Sequence, residues 1–255
     1  MQRYFLEEPY QQKDRFVLVG EPYHHITRVM RMTPEDRVYL AFSDQVAIIA
    51  EITAITENEV ELKEVMKEQG QKELPSMITI ASGYPKGEKL DWIVQKGTEL
   101  GAHAFLGFPA KTSVVKWDEK KRNKRQQRLA KIAQEAAEQA HRQVVPQVEL
   151  LSTASEFYQQ ISSYDKVLVA YEESAKQGEL ANLAQALQKS GSGQRILAIF
   201  GPEGGLTTDE VEKLSAEGAV ICGLGPRILR TETAPLYLLS AASYQWELLG
   251  EQDGK

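Results

Sequence analysis

At 255 residues, 42% hydrophobic and 26% charged, the chain has the make-up of a water-soluble protein with one large or two unequal domains. No apolar run approaches the roughly 20 residues needed to span a bilayer, and the opening Met1–Glu8 lacks signal-peptide anatomy, so a cytoplasmic location is expected. The lone Cys222 excludes an internal disulfide and a cysteine zinc cluster, and no metal site is expected.

Residues 1–70 read as short strands with one helix. Arg37–Phe42, Val46–Ile52 and Glu59–Leu62 are β-rich, and the last alternates cleanly. Glu21–Met32 fits a helix with Pro22 near its start and Ile26, Val29 and Met30 on one face. Its other face carries His24, Arg28 and Arg31, a small basic patch. With no third ligand in view, His24 and His25 are not read as metal ligands. A small β-barrel is the natural closure for several short strands with little core.

The polar stretch Lys67–Ser76, with Gly70 and Pro75, reads as a linker. From residue 75 to 250 strands and helices alternate, which implies an α/β domain with a largely parallel sheet. Met77–Ala81, Ala104–Phe108, Lys166–Ala170 and Arg195–Phe200 are the expected strands. Between the first two, Leu90, Ile93, Val94, Gly97 and Leu100 sit at helical spacing, and Gly101 is a plausible stop. A long amphipathic helix from about Lys121 to His141 should bury Leu129, Ile132, Ala133, Ala136 and Ala140. The last helix, Leu236–Leu249, is apolar nearly all round and should be buried, against another subunit if not within the chain.

The charge is uneven. Residues 111–131 hold nine basic side chains against Asp118 and Glu119, a net of +7 that leaves −13 on the rest. A solvated helix face and a polyanion-facing patch both account for such a run.

Two glycine turns carry the chemistry. Gly201-Pro-Glu-Gly-Gly205 follows an apolar strand but lacks the Lys-Ser/Thr of a phosphate loop and the spacing of a dinucleotide fingerprint, and Glu203 would repel a pyrophosphate. One alternative is a plain strand-to-helix turn with Thr208 as helix cap. The other is a ligand turn, favoured by a second stretch, Gly225-Pro-Arg-Ile-Leu-Arg-Thr-Glu-Thr-Ala234, after the strand-like Val220–Leu224. Two such turns side by side at the carboxyl edge of a sheet suit a flat ring read by backbone groups, next to a carboxylate that tolerates a cationic ligand.

Gly201-Pro-Glu-Gly-Gly-Leu206 together with Leu224–Ala234 resembles the paired signature of the ribosomal RNA small subunit methyltransferase E family, within the SPOUT superfamily. Lys86–Gly101 and Glu135–Arg142 are similar to its catalytic domain, and the first domain to its PUA-like RNA-binding barrel. The resemblance covers essentially the whole chain. It implies a PUA-like barrel over residues 1–70 and a SPOUT-type α/β domain over 75–250 with a deep trefoil knot near the carboxyl end. It implies a homodimer that uses S-adenosyl-L-methionine to methylate N3 of the uridine at position 1498 of 16S ribosomal RNA. The alternatives are another SPOUT methylation, on a ribose 2′-oxygen or a guanine, and a non-catalytic ribosome-assembly factor.

By the same resemblance, Ala170, Glu172, Phe200, Gly201, Glu203, Gly205, Leu224, Gly225, Ile228, Leu229 and Thr231 would bind the cofactor. Arg142 would hold an RNA phosphate or the developing base anion, the alternative being a surface arginine that compensates a helix end. Arg230 and Glu232 would order the knot loop and touch cofactor or base, or form a structural salt bridge. Arg3, His24, Arg28, Arg31, Lys116, Lys121, Arg122 and Arg125 would meet RNA, mostly through phosphates.

Overall fold

The computed structural model describes residues 1–173 and 181–249. It divides into a smaller unit, Met1–Glu73 with Ala137–Val145, and a larger one, Leu74–Ala136 with the residues from Pro146 on.

The smaller unit is built on β1 (Arg3–Phe5), β2 (Phe16–Leu18), β3 (Arg37–Ala41), β4 (Ala47–Ile55) and β5 (Val60–Lys67). They hydrogen-bond in the order β1-β3-β4-β5-β2, with β1 parallel to β3 and the other pairs antiparallel. Alternate residues point to one side, so Val38, Leu40, Ile48, Ile52, Val60 and Leu62 share a core with Tyr4, Phe16 and Ile26. Two register shifts in β4 bend the ladder there. The expected helix is a single α-turn, α1 (Glu21–His24), which widens into a π-turn over His25–Val29. The extra residue per turn rotates the later side chains off the 3.6-residue face. Ile26 is buried as expected, but Val29 and Met30 are 66% and 40% exposed.

The larger unit is a six-stranded, wholly parallel sheet in the order β11-β9-β10-β6-β7-β8. Its strands are β6 (Met77–Gly83), β7 (Ala104–Phe108), β8 (Gln147–Leu150), β9 (Lys166–Ala170), β10 (Arg195–Phe200) and β11 (Val220–Cys222). The near-continuous apolar sequences of the inner strands β6, β7, β9 and β10 follow from burial on both faces. In β10, Ile196, Ala198 and Phe200 join the core made with α2 (Lys89–Glu99), α3 (Glu119–Gln139), α5 (Asn182–Gln188) and α7 (Ala234–Ser243). Leu197 and Ile199 point the other way, against α4 (Ala154–Gln160) and α6 (Thr208–Ala216).

Three details differ from the sequence reading. The cap of α6 is Thr207, not Thr208, because Thr207 stands three residues before Glu210 and the two close a reciprocal capping box. In α3, Leu129, Ala133 and Ala136 are buried as expected, with Ala137 beside them, but Ile132 is only half-buried, as is Ala140 just beyond the helix end. The final helix buries one face, Pro235, Leu238, Leu239 and Ala242, and leaves Tyr237, Tyr244 and Leu248 exposed in this chain. No helix among the described residues is long and apolar enough to cross a membrane.

Candidate active site

In a parallel sheet all strands end on the same edge, so the segments after β9, β10 and β11 emerge side by side. They enclose a cavity of about 550 Å³. All eleven residues assigned to the cofactor from sequence line it: Ala170 at the end of β9 and Glu172 after it, Phe200 at the end of β10 with Gly201, Glu203 and Gly205 after it, and Leu224, Gly225, Ile228, Leu229 and Thr231 after β11. This is where open α/β sheets hold ligands.

The turn after β10 is wound tightly. Gly205 N–H donates to the Pro202 carbonyl at 2.8 Å. A Cβ on Gly201 would stand 2.5 Å from the Gly205 carbonyl carbon and 2.7 Å from the Leu206 nitrogen, so only glycine fits. The loop after β7 braces the same turn from outside: the Thr112 hydroxyl donates to the Gly205 carbonyl at 2.5 Å, and Lys111 N–H donates to Glu210 at 2.9 Å.

Glu203 is held in place. Its Oε1 accepts from Lys86 N–H at 2.9 Å and from Lys89 Nζ at 2.8 Å. Burial pushes this carboxyl up, but the Lys89 ammonium and the backbone N–H groups of Glu203 and Lys86 outweigh it and leave the group below its usual value. The same Lys89 nitrogen lies 3.8 Å from Glu232 Oε2, which is buried and has no hydrogen-bond partner among the described residues. Lys89 therefore links the two glycine turns. It lies 114 residues from Glu203, at the start of α2, and no periodicity connects them; the one signal is that Lys86–Gly101 belongs to the family-like stretches. Arg227 also lines the cavity, as do Glu172, Glu173 and Glu203.

The proposed catalytic and RNA-contacting residues fall in different places. Arg230 is exposed on the loop before α7, and its carbonyl accepts from Thr233 and Ala234. Arg142 is only 3% exposed: its guanidinium forks onto Glu73, which also takes the Gln143 N–H at 2.9 Å. A helix-end surface arginine it is not, and an RNA contact would first have to open that pair. Arg3, expected on the RNA surface, is 1% exposed, bonded to both Glu68 oxygens at 2.7 and 2.6 Å and stacked over Tyr39. It sits in β1 with its side chain turned inward, which corrects its assignment as a phosphate contact. His24, Arg28 and Arg31 are exposed. So are Lys116 and Lys121, while Arg122 and Arg125 are half-buried, Arg125 over the Trp117 ring at 4.7 Å. No group of three or more metal-ligating side chains is poised for a metal among the described residues.

Comparison with known proteins gives this geometry a class. Residues 72–243 match the RNA methyltransferase domain family and residues 20–65 the RNA methyltransferase PUA domain. The chain is thus a two-part protein of the RNA methyltransferase class. It is 49% identical to ribosomal RNA small subunit methyltransferase E of Bacillus subtilis, over 99% of this chain and 100% of that one. The Mycobacterium tuberculosis protein of the same name is 30% identical over 88% of this chain and 84% of its own. The chain belongs to the ribosomal RNA small subunit methyltransferase E family. Among solved structures, the Neisseria gonorrhoeae member bound to S-adenosyl methionine is 27% identical, with a TM-score of 0.79 over 96% of this chain and 98% of that one.

Proposed function

We propose that this chain transfers the methyl group of S-adenosyl-L-methionine to N3 of a uridine, position 1498, in 16S ribosomal RNA of the small subunit. The observation that carries it is the meeting of both glycine turns around one cavity whose acidic side chains suit a sulfonium and an ammonium better than a phosphate. The cavity volume lies within the usual range for small-molecule sites. The Gly201 and Gly205 backbone would lie against the adenine, with Glu172 and Glu203 near the cationic end. When bound, the sulfonium supplies an activated methyl group, so the protein's task is alignment and removal of the N3 proton. Exposed Arg230 would reach the RNA or order the loop. The basic residues of α3 and its approach, Lys116, Lys121, Arg122 and Arg125, together with His24, Arg28 and Arg31, would hold RNA phosphates. A trefoil knot around the two turns, a homodimer using the exposed face of α7, and a cytoplasmic setting complete the proposal.

The test is calorimetry with S-adenosyl-L-methionine, followed by methylation of small subunits from a strain lacking the modification, with the product mapped by mass spectrometry. Binding and 3-methyluridine are expected. A methyl on ribose or guanine points to another SPOUT activity, and no cofactor binding to a non-catalytic assembly factor.

A further inference from the structure

A second hollow of about 350 Å³ opens beside the cofactor cavity, lined by Glu88, Lys89, Trp92 and Glu232. Lys89 is a wall of both. Glu88, Lys89 and Trp92 fall on one side of the first turn of α2, since residues three and four apart share a helix face. Glu232 comes from the second glycine-rich loop, just before α7. Two features of the hollow stand out among the described residues. Trp92 leaves 57% of its surface in solvent, although it stands on a helix whose other apolar residues are buried. Glu232 keeps Oε2 buried without a hydrogen bond among the described residues, 3.8 Å from Lys89 Nζ, a costly state for a carboxylate oxygen.

We propose that this hollow is the seat of the target base, with Trp92 as stacking platform, Lys89 as donor to a ring carbonyl and Glu232 as acceptor of the N3 proton, an inference that rests on the activity proposed above. The edge of a uracil presents a carbonyl, an N–H and a carbonyl in a row. A carboxylate flanked by an ammonium matches two of these three, and an exposed indole face matches the ring. A cytosine has no N3–H for Glu232 to accept, so the same pair selects against it. Extrusion of one base from its RNA strand would bring N3 next to the cavity wall that Lys89 shares with the cofactor site. In the step itself the N3–H proton passes to the Glu232 carboxylate, the N3–methyl bond forms, and the sulfur–methyl bond breaks with its electron pair left on sulfur. Glu232 then returns the proton to water. Glu203 holds Lys89 in place from the other side at 2.8 Å, which makes Glu203 a positioning residue here.

The test uses full-length W92F, W92A and E232Q beside the parent, with S-adenosyl-L-methionine and an RNA hairpin carrying the target uridine. Hairpin binding should quench tryptophan fluorescence in the parent, and W92F should lose that quench. W92A should raise KM for RNA about tenfold with cofactor affinity and mass in solution unchanged. E232Q should lower kcat about a hundredfold or more, and its residual rate should climb with pH, because hydroxide must then take the N3 proton. A merely structural Glu232 would produce no such pH profile. Parental rates in W92A and E232Q, an unchanged quench in W92F, or a shift of W92A to a smaller assembly would each overturn this proposal while the parent still methylates. A parent that binds the cofactor but methylates no RNA would instead defeat the activity on which it rests.

Discussion

Gly201→Ala is the sharpest single probe of the cavity proposed here for the cofactor. The added methyl would stand 2.5, 2.7 and 2.9 Å from Gly205 C, Leu206 N and Gly205 Cα, all backbone atoms that no rotamer change can move. The turn must therefore open by about 1 Å to restore ordinary packing distances, and the Gly205 to Pro202 hydrogen bond goes with it. Overpacking of this kind costs about 1–3 kcal/mol of stability, which shifts the melting temperature by a few degrees per kcal/mol for a domain of this size. The larger effect is on binding, since a 1 Å displacement at a preorganised site costs about a hundredfold. Gly204→Ala is the comparison: its methyl meets the Thr112 side chain, with Cβ at 2.8 Å, so the neighbouring loop and not the turn itself must give. Calorimetry with S-adenosyl-L-methionine, paired with thermal melts, should show the G201A affinity falling by about two orders of magnitude and G204A far less. If G201A bound cofactor with parental affinity, the turn would not form the wall of the site.

Other perturbations test the rest. Arg142→Met strands the Glu73 carboxylate and should cost about 3–5 kcal/mol in denaturant titrations, with the double variant E73Q/R142M recovering most of it. Reversing Lys121 and Arg125 to Glu should weaken RNA binding across sequences and flatten its salt dependence, by about 0.7–0.9 in slope for each phosphate no longer neutralised. Because Lys89 and backbone donors hold Glu203 below its ordinary value, the stabilisation is present above the usual carboxylate range and lost as pH falls through and below it. Melts of parent and K89M should therefore differ near neutrality and converge in acid. Thr207→Ala removes the α6 cap and should cost about 0.5–2 kcal/mol.

What could be read from sequence follows from where each segment sits. Lys166–Ala170 and Arg195–Phe200 run through the interior of the sheet, and the apolar stretches Val167–Ala170 and Ile196–Phe200, each behind one charged residue, mark them out. β1 and β2 have three residues each, too short for any period to register. Among the described residues β8 pairs with β7 alone, at the sheet edge, so its Gln147-Val-Glu-Leu150 shows a mixed pattern. The glycine turns are legible as strand-end loops because glycine and proline punctuate apolar runs. Their convergence is set by strand order, which no local pattern carries. The pairing of Lys89 with Glu203 is likewise a product of topology. Arg3 misleads for the opposite reason: an arginine in a short strand reads as surface, yet Glu68 and Tyr39 give it an internal place.

The most direct measurement is mass spectrometry of 16S ribosomal RNA from a strain in which this protein is deleted and then restored. Loss of 3-methyluridine at position 1498 on deletion, and its return with the parent but not with E232Q, is the predicted result. Unchanged 3-methyluridine in the deletion strain would contradict it.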